Sequence, residues 1–194
     1  MSNTSSTGGY LTPEAIPSPL EDDGLDDFLQ AMVAGITGLP GKMVRPRWQP
    51  IPPKQPTPET DWSAIGITTR TPDDNAVVIH RPDGEGADAL QRHEEFDALA
   101  SFYGPNCQQY AGRLRDGLSI AQNREPMQRL GMGLVNVGNI VLLPELLNQR
   151  WLRRADLTVR IRRQIDRTYP VLNILSSGGT IHAGDQDTPW NSEN

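Results

Sequence analysis

The chain has 194 residues, 36% of them hydrophobic, and a formal net charge of −6, so it is long enough for one domain with a buried core. The acidic balance argues against general binding to nucleic acid or to an anionic membrane, because both depend on a net positive surface. The single cysteine, Cys107, excludes an internal disulfide, and no apolar run is long enough to span a bilayer, which predicts a soluble protein of a reducing compartment.

The N-terminal segment combines an arm with a helix. Residues 1–20 show no hydrophobic periodicity, which predicts an arm that is flexible in isolation. A helix is predicted from Asp22 or Asp23 to Gly38, because apolar residues recur at helical spacing between them. Its first turn is rich in carboxylates, which suits the positive end of a helix dipole.

Extended structure is predicted for the next forty residues. Residues 42–50 predict an edge strand, because two prolines remove backbone donors, and residues 51–58 predict a polyproline-like spacer. Residues 61–69 and 76–80 alternate in hydrophobicity on either side of turn-forming residues, so the two segments are expected to pair as a hairpin.

The second half of the chain begins with predicted helices. One is expected over 96–103 and another over 107–123, because apolar residues fall on one helical face in each, and a short helix is expected from Glu125. Cys107 lies on the apolar face of its helix, which favours a buried structural thiol over a nucleophile. Residues 133–143 are apolar and predict a strand.

The strongest pattern in the chain is a strand rich in arginine. Leu157, Val159, Ile161 and Ile165 alternate with polar residues, as in a half-buried strand. Seven of the eighteen basic residues lie in or just before it, so its outer face is expected to carry a row of guanidinium groups that needs an anionic or polar partner. Residues 171–175 are expected to pair with this strand, and residues 176–179 to form a bulge or turn.

These elements predict an α+β fold, with helices packed on one face of a mostly antiparallel sheet. The expected organisation is a flexible N-terminal arm at 1–20, a domain over 21–183 and a flexible, polar C-terminal tail at 184–194.

The sequence offers one weak candidate for catalysis. His80, Asp83, His93 and Glu94 carry imidazole and carboxylate groups, which bind metals, and so suggest a small metal-dependent hydrolase. Their spacing matches no zinc pattern, and the simpler interpretation is the acidic first turn of a solvated helix. No glycine-rich segment has the context of a phosphate-binding loop. We therefore predict no catalytic, cofactor-binding or metal-binding residues.

The arginine strand is expected to form either a solvated sheet face or a subunit interface. In the second case its guanidinium groups meet the acidic N-terminal segment of a neighbour, which includes Glu14, Glu21 and Asp27. Tryptophans outside the core are typical interface anchors. The predicted interface residues are Asp22, Asp23, Asp26, Trp48, Trp151, Arg153, Arg154, Asp156, Arg160, Arg162, Arg163 and Arg167.

Several short segments, in order along the chain, resemble a known family. They are Gly38-Leu39-Pro40, Pro46-Arg47-Trp48-Gln49-Pro50, Asp61-Trp62, Phe102-Tyr103-Gly104-Pro105, Leu114-Arg115-Asp116-Gly117-Leu118, Pro144-Glu145-Leu146, Arg150-Trp151 and Arg154-Ala155-Asp156-Leu157. Over residues 24–182 the sequence resembles the neck or tail terminator proteins of contractile-tailed bacteriophages. None of the segments is a catalytic motif.

The resemblance implies a structural virion protein without a cofactor. Its members form a ring, usually of six copies, that caps the tail tube and sheath and joins them to head-completion proteins. The resemblance thus implies self-association, assembly in the host cytoplasm, a place at the head–tail junction and no membrane partner, with DNA only passing through the lumen. The alternative is a head–tail connector or stopper of the same neck, and the remote alternative is the hydrolase.

Overall fold

A computed structural model describes residues 3–14, 20–147 and 149–193. Contacts divide these residues into two units. The larger unit comprises residues 20–74 and 92–165, and the smaller comprises 3–14, 75–91 and 166–193. None of the described helices is both long and apolar enough to cross a membrane.

Thirteen helices and strands follow one another along the described chain. They are α1 (Asp22–Thr37), β1 (Val44–Pro46), β2 (Trp62–Pro72), β3 (Val77–Arg81), β4 (Ala87–Tyr103), α2 (Cys107–Gly117), α3 (Ala121–Arg129), β5 (Met132–Leu142), β6 (Glu145–Leu147), β7 (Arg150–Leu152), β8 (Arg154–Tyr169), β9 (Ser176–Ala183) and β10 (Gln186–Glu193).

The main sheet has the strand order β1, β2, β4, β8, β5. The edge strand β1 is parallel to β2, whereas β2 pairs antiparallel with β4 and β5 antiparallel with β8. Arg160 of β8 contacts Asp97 of β4, and Arg163 of β8 contacts Glu94 of β4. The residue numbers rise along β8 as they fall along β4, as expected for antiparallel neighbours. The predicted edge strand and the strands at 133–143 and 157–165 are confirmed.

The core of the larger unit lies between one face of this sheet and the helices. Phe96 and Phe102 of β4 are fully buried there, as is Ile161 of β8, together with Leu29 of α1 and Leu114 of α2. Burying a side chain of this size contributes roughly 1.5–3 kcal/mol relative to leaving it exposed. The predicted α+β fold, with helices on one face of a mostly antiparallel sheet, is confirmed, and Cys107 is buried as expected.

The helix predicted over 96–103 is wrong, because these residues form the second half of β4. Phe96, Ala98, Ala100 and Phe102 alternate inward to the core, while Tyr103 is buried on the opposite face. Burial on both faces removes the alternation that marks a strand, and the remaining apolar positions fit a helical spacing equally well.

The predicted pairing of residues 76–80 with 61–69 is also wrong. Strand β4 has 17 residues, and its first part pairs with β3 while its second part pairs with β2. Each predicted strand exists, but both use β4 as their partner. The turn-forming residues between β2 and β3 therefore indicated that the chain changes direction there, but they did not determine which strands pair.

The C-terminal segments of the smaller unit differ from the predictions. Residues 171–175 form no strand, and residues 176–179 open strand β9 instead of forming a turn. Residues 186–193, which lie in the polar tail predicted at 184–194, form β10, which pairs with β9 along its whole length. Gly184 has a φ of 63° in the two-residue connection, a conformation that glycine adopts without strain and that closes tight hairpins.

The helix predicted over 107–123 ends earlier than expected, at Gly117. A Cβ at Gly117 would lie 2.3 Å from Cγ2 of Ile36, so α1 and α2 approach more closely there than any side chain permits. A new helix, α3, starts at Ala121 and contains Pro126, which was expected in the first turn of a shorter helix.

Arg163 lies inside the core and not in the outer row of arginines to which it was assigned. It is two residues from both Ile161 and Ile165 in the strand, so it points to the same face as they do, and only 3% of its surface is exposed. Its Nε donates to Oε1 of Glu94 at 2.7 Å, and its Nη2 donates to Oε1 of Glu21 at 2.9 Å. This buried cluster joins β8, β4 and the residue that precedes α1.

We predict that Glu94→Leu lowers the free energy of unfolding by about 3 kcal/mol, because it leaves a buried guanidinium with less counter-charge. Adding Arg163→Leu is expected to recover most of the loss, since an apolar pair needs no counter-charge. Urea unfolding measures the free energy of unfolding of the single and the double variant. The control is Glu95→Leu on the opposite face of β4, which is expected to change stability by less than about 1 kcal/mol. A double variant less stable than the single one would contradict this account.

Candidate assembly surfaces

The outer face of the sheet carries arginines that differ in their partners. Arg160 is neutralised within the chain, because its Nε and Nη2 donate to the two carboxylate oxygens of Asp97 at 2.8 and 3.2 Å. Arg153 and Arg162 are exposed, and neither forms an ion pair with a carboxylate of the described residues. Arg167, in the smaller unit, is half-buried.

Arg154 belongs to a separate cluster at one end of this outer face. Its Nε and Nη2 each donate to Asp156 at 2.7 Å, its Nη1 donates to Glu145, and its guanidinium lies 5.7 Å from the ring centroid of Tyr103. The bond to Asp156 raises the pKa of Arg154 above its ordinary value, although burial opposes this. Tyr103 in turn stacks on Trp62 with a centroid distance of 4.2 Å. Both Arg154 and Asp156 are therefore committed to partners within the chain.

The acidic residues of α1 gather beside an exposed tryptophan. Asp22, Asp23 and Asp26 line a groove of about 580 Å³ together with Trp48, and we call this the acidic groove. Trp48 is 66% exposed, and its indole N–H donates to the carbonyl of Ile67 at 3.2 Å, which fixes the ring at the groove. Four of the predicted interface residues therefore share one surface.

The carboxylates of the acidic groove repel one another. The pKa of Asp26 is raised, first because the group is half-buried and then because Asp23, Asp27 and Asp22 lie nearby. Arg70 also lines the groove, but its Nη1 donates to Glu21 at 2.8 Å. The groove therefore holds three carboxylates beside one guanidinium that is bonded to Glu21, so its charge suits a further cation.

The acidic groove and Arg162 lie on opposite faces of the larger unit. Helix α1 packs its buried side on the inner face of the sheet, where Ile161 points. Arg162 follows Ile161 in β8 and so points to the outer face. Trp151 is elsewhere, in β7, where it is 69% exposed and lies opposite Leu146 in the pairing with β6.

A comparison with protein families identifies the chain. A family model described as phage neck terminator protein matches residues 23–185. The chain belongs to the phage neck terminator family. No curated protein matches it. The family is structural, so this neck terminator is a structural protein of the phage virion and not an enzyme.

Two of the candidate metal residues of the neck terminator, His93 and Glu94, point to opposite faces of β4. Neighbours in β4 point to opposite faces, so Glu94 faces the core while His93 faces outward, 3.7 Å from Asp73. His80 in the smaller unit contacts Asp88 and Asn173 at 2.7 Å each, which raises its pKa, chiefly through Asp88. Among the described residues, no group of three potential ligands is arranged to hold a metal ion.

Sequence analysis missed the cluster around Trp62 in the neck terminator. Trp62, Tyr103 and Leu152 form a second, small core on the outer face of the sheet. At the end of β4 the side chains on both faces of the strand are buried: Ser101 and Tyr103 on one face, and Ala100 and Phe102 on the other. Such a run predicts a layer on each side of a strand.

We predict that Asp26→Asn stabilises the isolated subunit at neutral pH by on the order of a few tenths of a kcal/mol, because it removes a half-buried charge from among like charges, with the effect limited by solvent screening. The pKa of Asp26 in the folded chain lies above its ordinary value of 3.8, so the penalty exists at high pH and disappears as pH falls through the raised pKa. Thermal unfolding of the variant and wild type between pH 3 and pH 7 measures this difference.

Asp74→Asn, in a turn outside the groove, is the control for removing one negative charge. It is expected to show no such gain and no such pH dependence. A loss of stability for Asp26→Asn at neutral pH would mean that the fold needs this carboxylate, and the groove would then not be a repulsive cluster.

Proposed function

We propose that this neck terminator is the repeating subunit of a ring that closes the end of the tail tube and sheath of a contractile-tailed phage. The family match supports the structural role in the neck, and the ring of six copies rests on the resemblance to tail terminators. One side of the ring meets the tail, and the other meets the head-completion proteins. The ring assembles in the host cytoplasm and has no membrane partner.

The observation that carries this proposal is the placement of opposite charges on opposite faces of one unit. A ring needs contacts in which one surface of a copy binds a different surface of the next copy. The acidic groove and the outer face around Arg162 supply two such surfaces. In the proposed contact, Arg162 of one copy approaches the carboxylates of the next, and the exposed ring of Trp48 contacts that guanidinium.

The electrostatics of the free subunit favour this contact. The carboxylates of the groove repel one another, as the raised pKa of Asp26 indicates, and a guanidinium of a neighbour relieves that repulsion. Such charge pairs also fix orientation and speed encounter. Because surface charges are screened by salt, ring formation is expected to weaken as ionic strength rises.

The net charge also suits a ring through which DNA passes. Each copy contributes a formal charge of −6, and carboxylates that line a lumen repel the phosphates of DNA. DNA is thus proposed to pass through the ring without binding to it.

The N-terminal arm and C-terminal tail are proposed as docking segments for neighbouring neck proteins. In the smaller unit, the amide of Glu14 donates to the carbonyl of Thr168 at 2.8 Å, and that of Ser5 donates to the carbonyl of Pro170 at 3.2 Å. We propose that residues 1–20 and 184–194 remain separable from the domain at 21–183. Deletion of residues 1–14, which keeps Leu20 and its hydrogen bond with Arg163, is expected to leave the unfolding midpoint of the domain nearly unchanged.

We predict that Arg162→Glu abolishes the ring without unfolding the subunit. The change replaces attraction with repulsion at every contact, which at a desolvated site costs on the order of 2–5 kcal/mol. Light scattering at micromolar concentration, with isolated tail tubes added, measures the assembly state, and circular dichroism checks the fold. The control is Arg115→Glu on α2, an exposed arginine outside both surfaces, which is expected to assemble normally.

A charge swap within one chain sharpens the test. Asp23→Arg alone is expected to block assembly, whereas Asp23→Arg combined with Arg162→Glu is expected to restore it, since each contact then joins a glutamate to an arginine again. Normal rings from the Arg162→Glu single variant would place the interface elsewhere. A wild-type chain that stays monomeric even with tail tubes present would overturn the ring itself.

A further inference from the structure

A second pocket in the larger unit has the opposite charge to the acidic groove. It has a volume of about 320 Å³ and lies between strand β1, the proline-rich connection that follows it and the paired ends of β2 and β4. We call it the arginine cleft. The residues that matter for its chemistry are Arg45, Arg47, Pro52, Pro53, Trp62 and Tyr103.

The two arginines of the cleft are held in place by the chain. Nη1 of Arg45 donates to the carbonyl of Lys54 at 3.0 Å, and its guanidinium lies 5.5 Å from the ring centroid of Trp62. Nη2 of Arg47 donates to Oγ of Ser101 at 2.5 Å. Neutral partners thus fix both side chains, so the cleft is built before any ligand arrives.

Neither guanidinium forms an ion pair with a carboxylate of the described residues. Arg154, Arg160 and Arg163 of the same unit all have such a partner, at 2.8 Å or less. The Nε of Arg47 and the indole N–H of Trp62 are also buried without an acceptor. The cleft therefore combines two positive charges that no carboxylate of the described residues neutralises with two buried donors that lack an acceptor.

We propose that the arginine cleft binds the carboxylate of a glutamate carried by an extended peptide segment of a partner protein. A carboxylate matches the fork of a guanidinium and neutralises a charge that the chain leaves without an ion pair. The walls made by Pro52, Pro53 and the stacked rings of Trp62 and Tyr103 are apolar, and they fit the methylene stem that a glutamate side chain has and a phosphate ion lacks.

This site differs in its chemistry from the proposed ring contact, although Gln49 lines both the arginine cleft and the acidic groove. The arginine cleft lies in a single copy and is expected to bind its ligand whether or not the ring forms. It gives the neck terminator a receptor for an acidic segment of another protein, whereas the acidic groove is suited to arginines of a second copy.

The experiment uses the full chain labelled with 5-fluorotryptophan and followed by fluorine NMR. Trp48, Trp151 and Trp190 are exposed, so their single changes to Phe assign three resonances and leave the fourth to Trp62. The probes are acetyl-Gly-Glu-Gly-amide, the matched peptide with Gln in place of Glu, and inorganic phosphate, all at one ionic strength. The glutamate peptide is expected to shift the Trp62 resonance in a saturable way, and the glutamine peptide is not.

Two variants test which charge is responsible. Arg45→Gln is expected to weaken binding of the glutamate peptide about tenfold, through loss of a charge-assisted hydrogen bond. Arg115→Gln, which removes an equal charge from α2, is expected to leave it unchanged. Equal responses to the glutamate and glutamine peptides would overturn the proposal. Tighter binding of phosphate than of the glutamate peptide would also overturn it, as would unchanged binding in the Arg45→Gln variant.

Discussion

The buried guanidinium of Arg163 is the interaction on which the arrangement of the larger unit depends. It donates to Glu94 in the neighbouring strand and to Glu21 at the start of α1, so three distant parts of the chain share one charge cluster. A buried charge is costly unless every partner is in place, which makes alternative packings of α1 unfavourable. The start of α1 also carries the acidic groove, whose position relative to the sheet therefore follows from Arg163.

Glu21 illustrates how this cluster responds to its surroundings. Burial alone would raise its pKa, but bonds and charge from Arg70 and Arg163 lower it below the ordinary value of 4.5. A carboxyl with a depressed pKa stabilises the fold above that value, and its contribution is lost as pH falls through the depressed pKa. The anchor of α1 is thus intact at neutral pH, the condition in which the groove carboxylates are also charged.

The sequence was sufficient to predict α1 and β8, because each has one buried face and a regular hydrophobic period. Strand β5 was predicted from an apolar run, and β1 from an extended segment in which prolines favour an edge. The sequence failed for β4, whose second half is buried on both faces and so lacks alternation. The sequence-based prediction also placed Arg163 on the outer face, because arginine is usually a surface residue. Its spacing of two residues from Ile161 indicated the inner face instead. The acidic groove needed the structure, because Trp48 and Asp22 come together only when β1 packs beside α1.

Strand β5 has a feature that disfavours aggregation. It forms an edge of the sheet, and its 11 residues include no charged side chain. Uncharged edges of this length are templates for fibres and amorphous aggregates. Its pairing with β8 shifts register twice, between Leu134 and Asn136 and between Val137 and Ile140, so its exposed backbone is bent out of a continuous ladder. The irregularities of β5 thus disfavour edge-to-edge pairing between copies of the chain.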